Sequence, residues 1–171
     1  MSSLPVIGWI GAGRMGVAMA GFILKAGYPL LVYSPTAASR QKLVALGARE
    51  ALSVAQCATA ADIIFSCITN DAALREVALG PQGVLDNAKP GVIFIDTSTV
   101  SAEISAQVAE QAQTRGIFAG GKTNLSRLHR LALPDERART FPRDPRDPVQ
   151  SLCRLRHARS ARYRLPGAGP R

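Results

Sequence analysis

Glycines at positions 11, 13 and 16, in the run Gly11-Ala12-Gly13-Arg14-Met15-Gly16, follow directly on the apolar segment Val6-Ile7-Gly8-Trp9-Ile10. Few local patterns restrict a chain more. Val6 to Ile10 has the length and apolar content of a buried strand, and Met15 to Leu24 reads as an amphipathic helix. The join between them needs glycine for three separate reasons. Gly11 permits the tight turn, Gly13 lets backbone approach a pyrophosphate, and Gly16 lets the helix pack closely on the strand. Free N–H groups at the helix start and the positive end of its dipole then attract phosphate. The six-residue pattern alone is weak. Between a strand and an amphipathic helix it is a dinucleotide-binding fingerprint.

The alternation continues along the chain. Gly27 is placed to end the first helix, and Leu30-Leu31-Val32-Tyr33 reads as a second strand. Ser34 reads as an N-cap with Pro35 at the first helical position, opening a helix that passes Leu46 and stops at Gly47. Ser53 to Ala60 is a shorter helical piece. Asp62 to Ile68 is a continuous apolar run, as expected for a parallel strand buried on both faces. A helix from Asp71 to Leu79, a turn at Gly80-Pro81-Gln82-Gly83 and a strand at Val92 to Asp96 come next. A final helix starts at Ser101, carries Ile104, Val108 and Ala112 on one face, and is closed by Gly116. Strands alternating with helices imply right-handed crossovers, hence an α/β class and a Rossmann-type doubly wound parallel sheet. Ligands of such sheets bind at the carboxyl ends of strands, here the turns at Gly11, Ser34, Thr69 and Thr97.

Charge divides the chain. Residues 1–121 hold eight basic and eight acidic side chains, so the net charge of +9 belongs to residues 122–171. Arginine occurs at twelve positions from Arg127 to Arg171, and Arg143-Asp144-Pro145 is repeated at once as Arg146-Asp147-Pro148. Leu125, Leu128 and Ala132 suit one face of a short helix, but nothing later keeps a helix or strand period. The organisation expected is an NAD(P)-binding domain at 1–118 and an irregular, basic, Arg/Pro-rich C-terminal tail at 119–171. One lysine against twelve arginines, with abundant Pro, Leu, Ala and Gly, matches an out-of-frame reading of GC-rich coding sequence, and a frameshift is the expectation for that segment. The competing expectation is a non-catalytic nucleotide-binding module whose arm binds nucleic acid or an acidic partner. Phe141 and Tyr163 are its only aromatics and no recognised nucleic-acid fold appears, so nucleic acid is not the expected partner.

No apolar stretch approaches the roughly 20 residues needed to cross a bilayer. Met1-Ser2-Ser3-Leu4-Pro5 lacks the basic region and cleavage site of a signal peptide, so the expected compartment is the cytoplasm. Cys57, Cys67 and Cys153 have no metal-ligand spacing, and no metal is expected. Cys67, in an apolar run, reads as a small inert hydrophobe.

Three segments in order carry a resemblance. Ile7 to Gly16, Ala61-Asp62-Ile63-Ile64-Phe65-Ser66-Cys67-Ile68-Thr69-Asn70, and Lys89-Pro90-Gly91 through Asp96-Thr97-Ser98-Thr99-Val100-Ser101 resemble the NADP-binding domain of the β-hydroxyacid dehydrogenases. That family includes 3-hydroxyisobutyrate dehydrogenase, tartronate semialdehyde reductase and 6-phosphogluconate dehydrogenases, which transfer hydride between a nicotinamide and a small hydroxy acid. The resemblance implies a cofactor contact set of Gly11, Ala12, Gly13, Arg14, Met15, Gly16, Ser34, Thr36, Ile68, Thr69 and Thr99. It also implies that Ser98 meets a substrate carboxylate or hydroxyl. The competing role for Ser98 and Thr99 is plain helix capping.

The departures from the family matter as much. Ser34-Pro35-Thr36 stands where many members carry Asn-Arg-Thr, and no acid at that strand end is available for a ribose 2′-hydroxyl. Pro35 replaces the arginine that grips a 2′-phosphate. Arg40 or Lys42 substitutes only if its helix reaches the adenosine pocket; otherwise both belong to a solvated face. The cofactor is NADP or NAD, with the balance toward NADP. Thr69 and Ala73 replace a proline and an amide side chain, which predicts weakened cofactor affinity. The family's catalytic lysine lies on a later helical domain. Lys122 is the only lysine after Gly116 and lacks an apolar helical context, so no catalytic residue is assigned and the chain is expected to be catalytically incomplete. Oligomeric state and the particular hydroxy acid are not implied.

Overall fold

Strand and helix are separated in this chain by where burial falls. Segments apolar on both faces become strands and segments apolar on one stripe become helices. The computed structural model describes residues 4–121. In chain order the elements are β1 (Ile7–Ile10), α1 (Arg14–Lys25), β2 (Leu30–Tyr33), α2 (Ala37–Val44), β3 (Arg49–Glu50) and α3 (Val54–Ala60). They continue as β4 (Ile63–Ser66), α4 (Asp71–Leu79), α5 (Val84–Asn87), β5 (Ile93–Asp96), α6 (Ala102–Thr114) and β6 (Phe118–Gly121). The strands form one six-stranded sheet in the order β3-β2-β1-β4-β5-β6, and every pairing is parallel. This is the Rossmann-type α/β sheet that the alternation predicted.

The chain reverses direction across the sheet between β1 and β4. A crevice opens there at the carboxyl ends, where such sheets take their ligands. Register keeps like levels together: Ile10 lies opposite Ser66, and Ser66 opposite Asp96. One face buries Trp9, Ile7, Leu30 and Val32 together with Ala20 of α1 and Leu43 of α2. The other buries Ile10, Ile64 and Phe94 with Cys57 of α3, Leu74 of α4 and Ile104 of α6. Trp9 is fully buried and stacks on Phe65 with ring centroids 5.5 Å apart. Burial also pushes the Cys57 thiol up to about 12, against a smaller opposing effect of a backbone hydrogen bond at Trp9, so Cys57 packs as an inert hydrophobe.

Two local expectations change, and two short elements are new. The second helix opens after Thr36 and not at Ser34, because Ser34 continues inward from β2 and is buried, while Thr36 supplies the first helical carbonyl to Ser39 and Arg40. β3 is only two residues long, and α5 is a single turn; neither length registers as periodicity. The last strand runs through Gly121, three residues past the boundary expected at 118, and pairs with β5 along its length.

Gly8 explains how α3 lies so close to the sheet. A methyl group at Gly8 would stand 3.0 Å from Cys57 Sγ and 3.0 Å from Ala61 Cβ. Gly8→Ala therefore overpacks the α3 contact and should lower stability by about 1–3 kcal/mol. A urea unfolding midpoint equal to that of the unsubstituted protein refutes this account.

Candidate functional site

The turn between β1 and α1 is held from three sides. Gly11 has φ +98°, and a Cβ there would stand 2.2 Å from the Cys67 carbonyl oxygen, so both conformation and space require glycine. The Trp9 indole donates a 2.9 Å hydrogen bond to the Gly11 carbonyl, and Gly16 brings α1 so near that a Cβ would come within 2.1 Å of that same oxygen. Gly13 differs: nothing lies within 4 Å of the place a Cβ would take. The space beside it is open.

The start of α1 is equipped for an anion. Gly13 is the N-cap without a side-chain cap, and the first turn holds no acid. Its leading N–H groups have no intrahelical acceptor, as at any helix start. By contrast α3, α4 and α6 are capped by the side chains of Ser53, Asn70 and Ser101. Beside the turn lies an open pocket of about 190 Å³ lined by Ala12, Gly13, Arg14, Val17, Ser39 and Lys42. Two cations, a hydroxyl and free backbone donors there suit phosphate oxygens. A dinucleotide's diphosphate thus fits the residues present.

Arg40 and Lys42 part company. The Arg40 guanidinium donates 2.5 Å hydrogen bonds to Glu50 Oε1 and to the Ser34 carbonyl, and a 3.2 Å bond to the Pro35 carbonyl. It closes the β2–α2 loop. Lys42 instead lines the pocket with Arg14. Of the expected contact residues, Ala12, Gly13 and Arg14 share that pocket, while Met15 is exposed on α1 and Gly11 and Gly16 pack against the Cys67 carbonyl and the Gly11 carbonyl, outside its lining. Ser34 is buried below the loop, and Thr36 caps α2 only through its backbone.

The ends of β4 and β5 form the second half of the site. The backbone ladder ends where Thr97 N–H donates to the Ser66 carbonyl at 2.8 Å, reinforced by the Thr97 hydroxyl at 2.7 Å. Within the last pair of the ladder Ser66 Oγ donates to Asp96 Oδ1 at 2.6 Å; beyond it Ser98 Oγ donates to the same oxygen at 2.6 Å, and Ile68 N–H donates to Ser98 Oγ at 2.9 Å. Ile68 also touches the Gly11 turn, its Cγ2 lying 3.1 Å from where a Gly11 Cβ would be. The diphosphate turn, the β4 loop and the β5 loop are therefore in contact as a series. Thr69 and Thr99 lie exposed on the two loops. Trp9 and Asp96 carry site geometry that their sequence context did not assign. An indole two residues before the first glycine, and an acid at the end of an apolar strand, were the available signals.

Residues 6–121 match the family model described as the NAD binding domain of 6-phosphogluconate dehydrogenase. The chain belongs to that family. Its residues are 34% identical over 110 residues to the human cytokine-like nuclear factor N-PAC, a match covering 64% of this chain and 20% of that protein. They are 33% identical over 113 residues to a probable mitochondrial 3-hydroxyisobutyrate dehydrogenase-like protein of Arabidopsis thaliana, covering 66% of this chain and 34% of that one. An imine reductase from Myxococcus stipitatus in complex with NADP+ superposes with a TM-score of 0.63 at 26% identity, covering 68% of this chain and 40% of the other. The chain thus spans less than half the length of these relatives. The domain is an NAD(P)-binding domain of the hydroxyacid dehydrogenase family. No helix among the described residues is long and apolar enough to cross a membrane. The expectations for residues 122–171, including the basic-arm reading, lie outside the described residues.

One further tie joins the α4 and α6 starts. Ser101 N–H donates to Asp71 Oδ1 at 2.9 Å, and hydrogen bonds from the Ser101 side chain first, then its backbone, hold the Asp71 carboxyl below its ordinary value. A depressed carboxyl adds stability above its unfolded value, near 3.9, and loses it as pH falls through the folded value. Asp71→Asn should therefore unfold at lower urea than the unsubstituted protein near neutral pH, with the gap closing as pH falls below the unfolded value of about 3.9. A gap that persists undiminished in acid contradicts the assignment.

Proposed function

We propose that this domain binds NADP in preference to NAD and forms the cofactor side of a site for hydride transfer with a small hydroxy acid. One observation carries the reading: the pocket where Arg14, Ser39 and Lys42 converge on the open Gly13 turn. In this reading the backbone of Gly11, Ala12, Gly13, Arg14, Met15 and Gly16 holds the diphosphate through N–H groups at the α1 start, which leaves the Arg14 side chain for the 2′-phosphate. Ser34 and Thr36 bound the adenosine ribose. Arg14 and Lys42 replace the family's arginine, lost to Pro35, as the charges that meet a 2′-phosphate. The Arg40–Glu50 ion pair supports this choice indirectly, because it offsets an acid on the strand next to β2.

Ile68, Thr69 and Thr99 are assigned to the nicotinamide half and Ser98 to the substrate. A bound nicotinamide supplies or accepts the hydride. In this reading the chain's own residues position it: the Ile68–Thr69 loop sets the depth of the ring, and the hydroxyl of Thr99, an exposed residue after β5, donates to it. Ser98 has its proton on Asp96 and one lone pair on Ile68 N–H, so the capacity left to it is as an acceptor. A substrate hydroxyl suits that better than a carboxylate. Proton transfer needs a further group. The described lysines are Lys25 at the far end of α1, Lys89 before β5 and Lys42 in the phosphate pocket, none at the β4–β5 end. The domain alone is accordingly a binding unit with little or no turnover.

Titration of the purified chain with NADPH and NADH, followed by nicotinamide fluorescence, tests this. Tighter binding of NADPH is expected, with Lys42→Ala and Arg14→Ala each weakening NADPH about tenfold, the scale of one charge-assisted phosphate contact, and leaving NADH nearly unchanged. Equal losses for both cofactors overturn the 2′-phosphate assignment. No binding of either at millimolar ligand overturns the whole reading.

A further inference from the structure

Asp96 is an acid with a relative exposure of 8%, and no cation lies against it among the described residues. Its Oδ1 alone accepts three hydrogen bonds, from Ser66 Oγ at 2.6 Å, Ser98 Oγ at 2.6 Å and Ser98 N–H at 3.3 Å. Hydroxyl contacts of 2.6 Å have the length of charge-assisted O–H···O⁻ bonds. A buried carboxylate held by neutral hydroxyls is an expensive arrangement for packing alone, since an apolar residue there needs no partners. Its consequence is directional. A serine hydroxyl has one proton, and Asp96 takes it, so the Ser98 oxygen turns acceptor toward the Ile68 N–H at 2.9 Å. The backbone ladder between β4 and β5 has already ended at Thr97 and Ser66. Past that rung the side-chain relay from Asp96 through Ser98 to the Ile68 N–H bridges the two loops. Its last member, Ile68, packs against the Gly11 turn.

We propose that Asp96 is the positioning residue of the site, setting through Ser98 the height of the Ile68–Thr69 loop on which the nicotinamide end of the cofactor rests. The proposal rests on the reading of the β4–β5 end as the nicotinamide side, and its consequences separate from those of that reading. Loosening the relay affects the part of the ligand that touches the β4 loop. The diphosphate and the 2′-phosphate, held at α1 and α2, are unaffected.

The test uses the full chain, isotopically labelled, with Ser98→Ala as the principal variant because it leaves Asp96 bonded to Ser66. Asp96→Asn is the second, keeping an acceptor oxygen but removing its charge. Amide exchange of Ile68 in the free protein reads the relay directly, with the Thr97 amide as the internal control. Affinities for NADPH and for 2′-phospho-ADP-ribose, which lacks the nicotinamide, read its effect. Ser98→Ala should speed Ile68 exchange about tenfold, the scale of one lost hydrogen bond, leaving Thr97 unchanged. It should weaken NADPH about fivefold or more and 2′-phospho-ADP-ribose not at all, with Asp96→Asn changing both readouts in the same direction by less. Unchanged Ile68 exchange, or equal weakening of both ligands, overturns the positioning role, as does faster exchange with NADPH affinity intact. If the unsubstituted chain binds neither ligand, the cofactor reading fails, and Ile68 exchange alone still decides whether Asp96 and Ser98 hold the loop.

Discussion

The carbonyl oxygen of Gly11 is the point on which the domain turns. The Trp9 indole donates to it from the core, and α1 presses on it at Gly16, where a single methyl group would overlap it. Because that oxygen is gripped from both sides, the axis of α1 is set relative to β1, and with it the direction of the free N–H groups at Gly13 and beyond. Trp9 is fully buried and stacked on Phe65, so the hydrophobic core and the ligand turn share one side chain. Core packing and site geometry are thus one constraint, as expected where binding groups must be held to a fraction of an ångström by elements that are rigid for other reasons.

From the same turn, contact passes to the carbonyl of Cys67 and the side chain of Ile68, then through Ser98 to Asp96 and Ser66. A parallel sheet takes its ligands at the carboxyl ends of its strands, beyond the last backbone rung. Side-chain hydrogen bonds replace the ladder at that point, with the outer tie between Asp71 and Ser101 doing the same for the two helix starts. The opposite edge follows a different logic. Arg40 is drawn to Glu50 and to two loop carbonyls, which satisfies those acceptors, while Lys42, two residues on, lines the pocket with Arg14.

Much of this architecture is legible in the residues themselves. The strands at Ile7, Leu30, Ile63 and Ile93 stand out as apolar runs of strand length, and Ser53, Asn70 and Ser101 stand at helix starts with the polar side chains such starts prefer. The glycine turn is readable because each glycine answers a separate steric demand. What escapes a linear reading is short or cooperative. β3 has two residues and α5 one turn, below the length at which any period is visible. Ser34-Pro35 has the composition of a helix start, yet burial of Ser34 in the sheet layer postpones the helix past Thr36. The Asp96 relay joins residues thirty positions apart, and nothing local in either segment declares the other.

By itself the sequence determined the α/β class, the order of its elements and the presence of a dinucleotide turn, because these follow from periodicity and from steric limits that act over a few residues. It also located the cations near the second strand without ranking them. Only the tertiary structure decided that Arg40 is committed to Glu50 and that Lys42 faces the pocket. It alone showed Ser98 as an acceptor bound to Ile68 under the direction of Asp96. Those outcomes depend on which groups meet across the sheet and on where each single proton goes, and a hydrogen-bond partner is chosen by proximity in space.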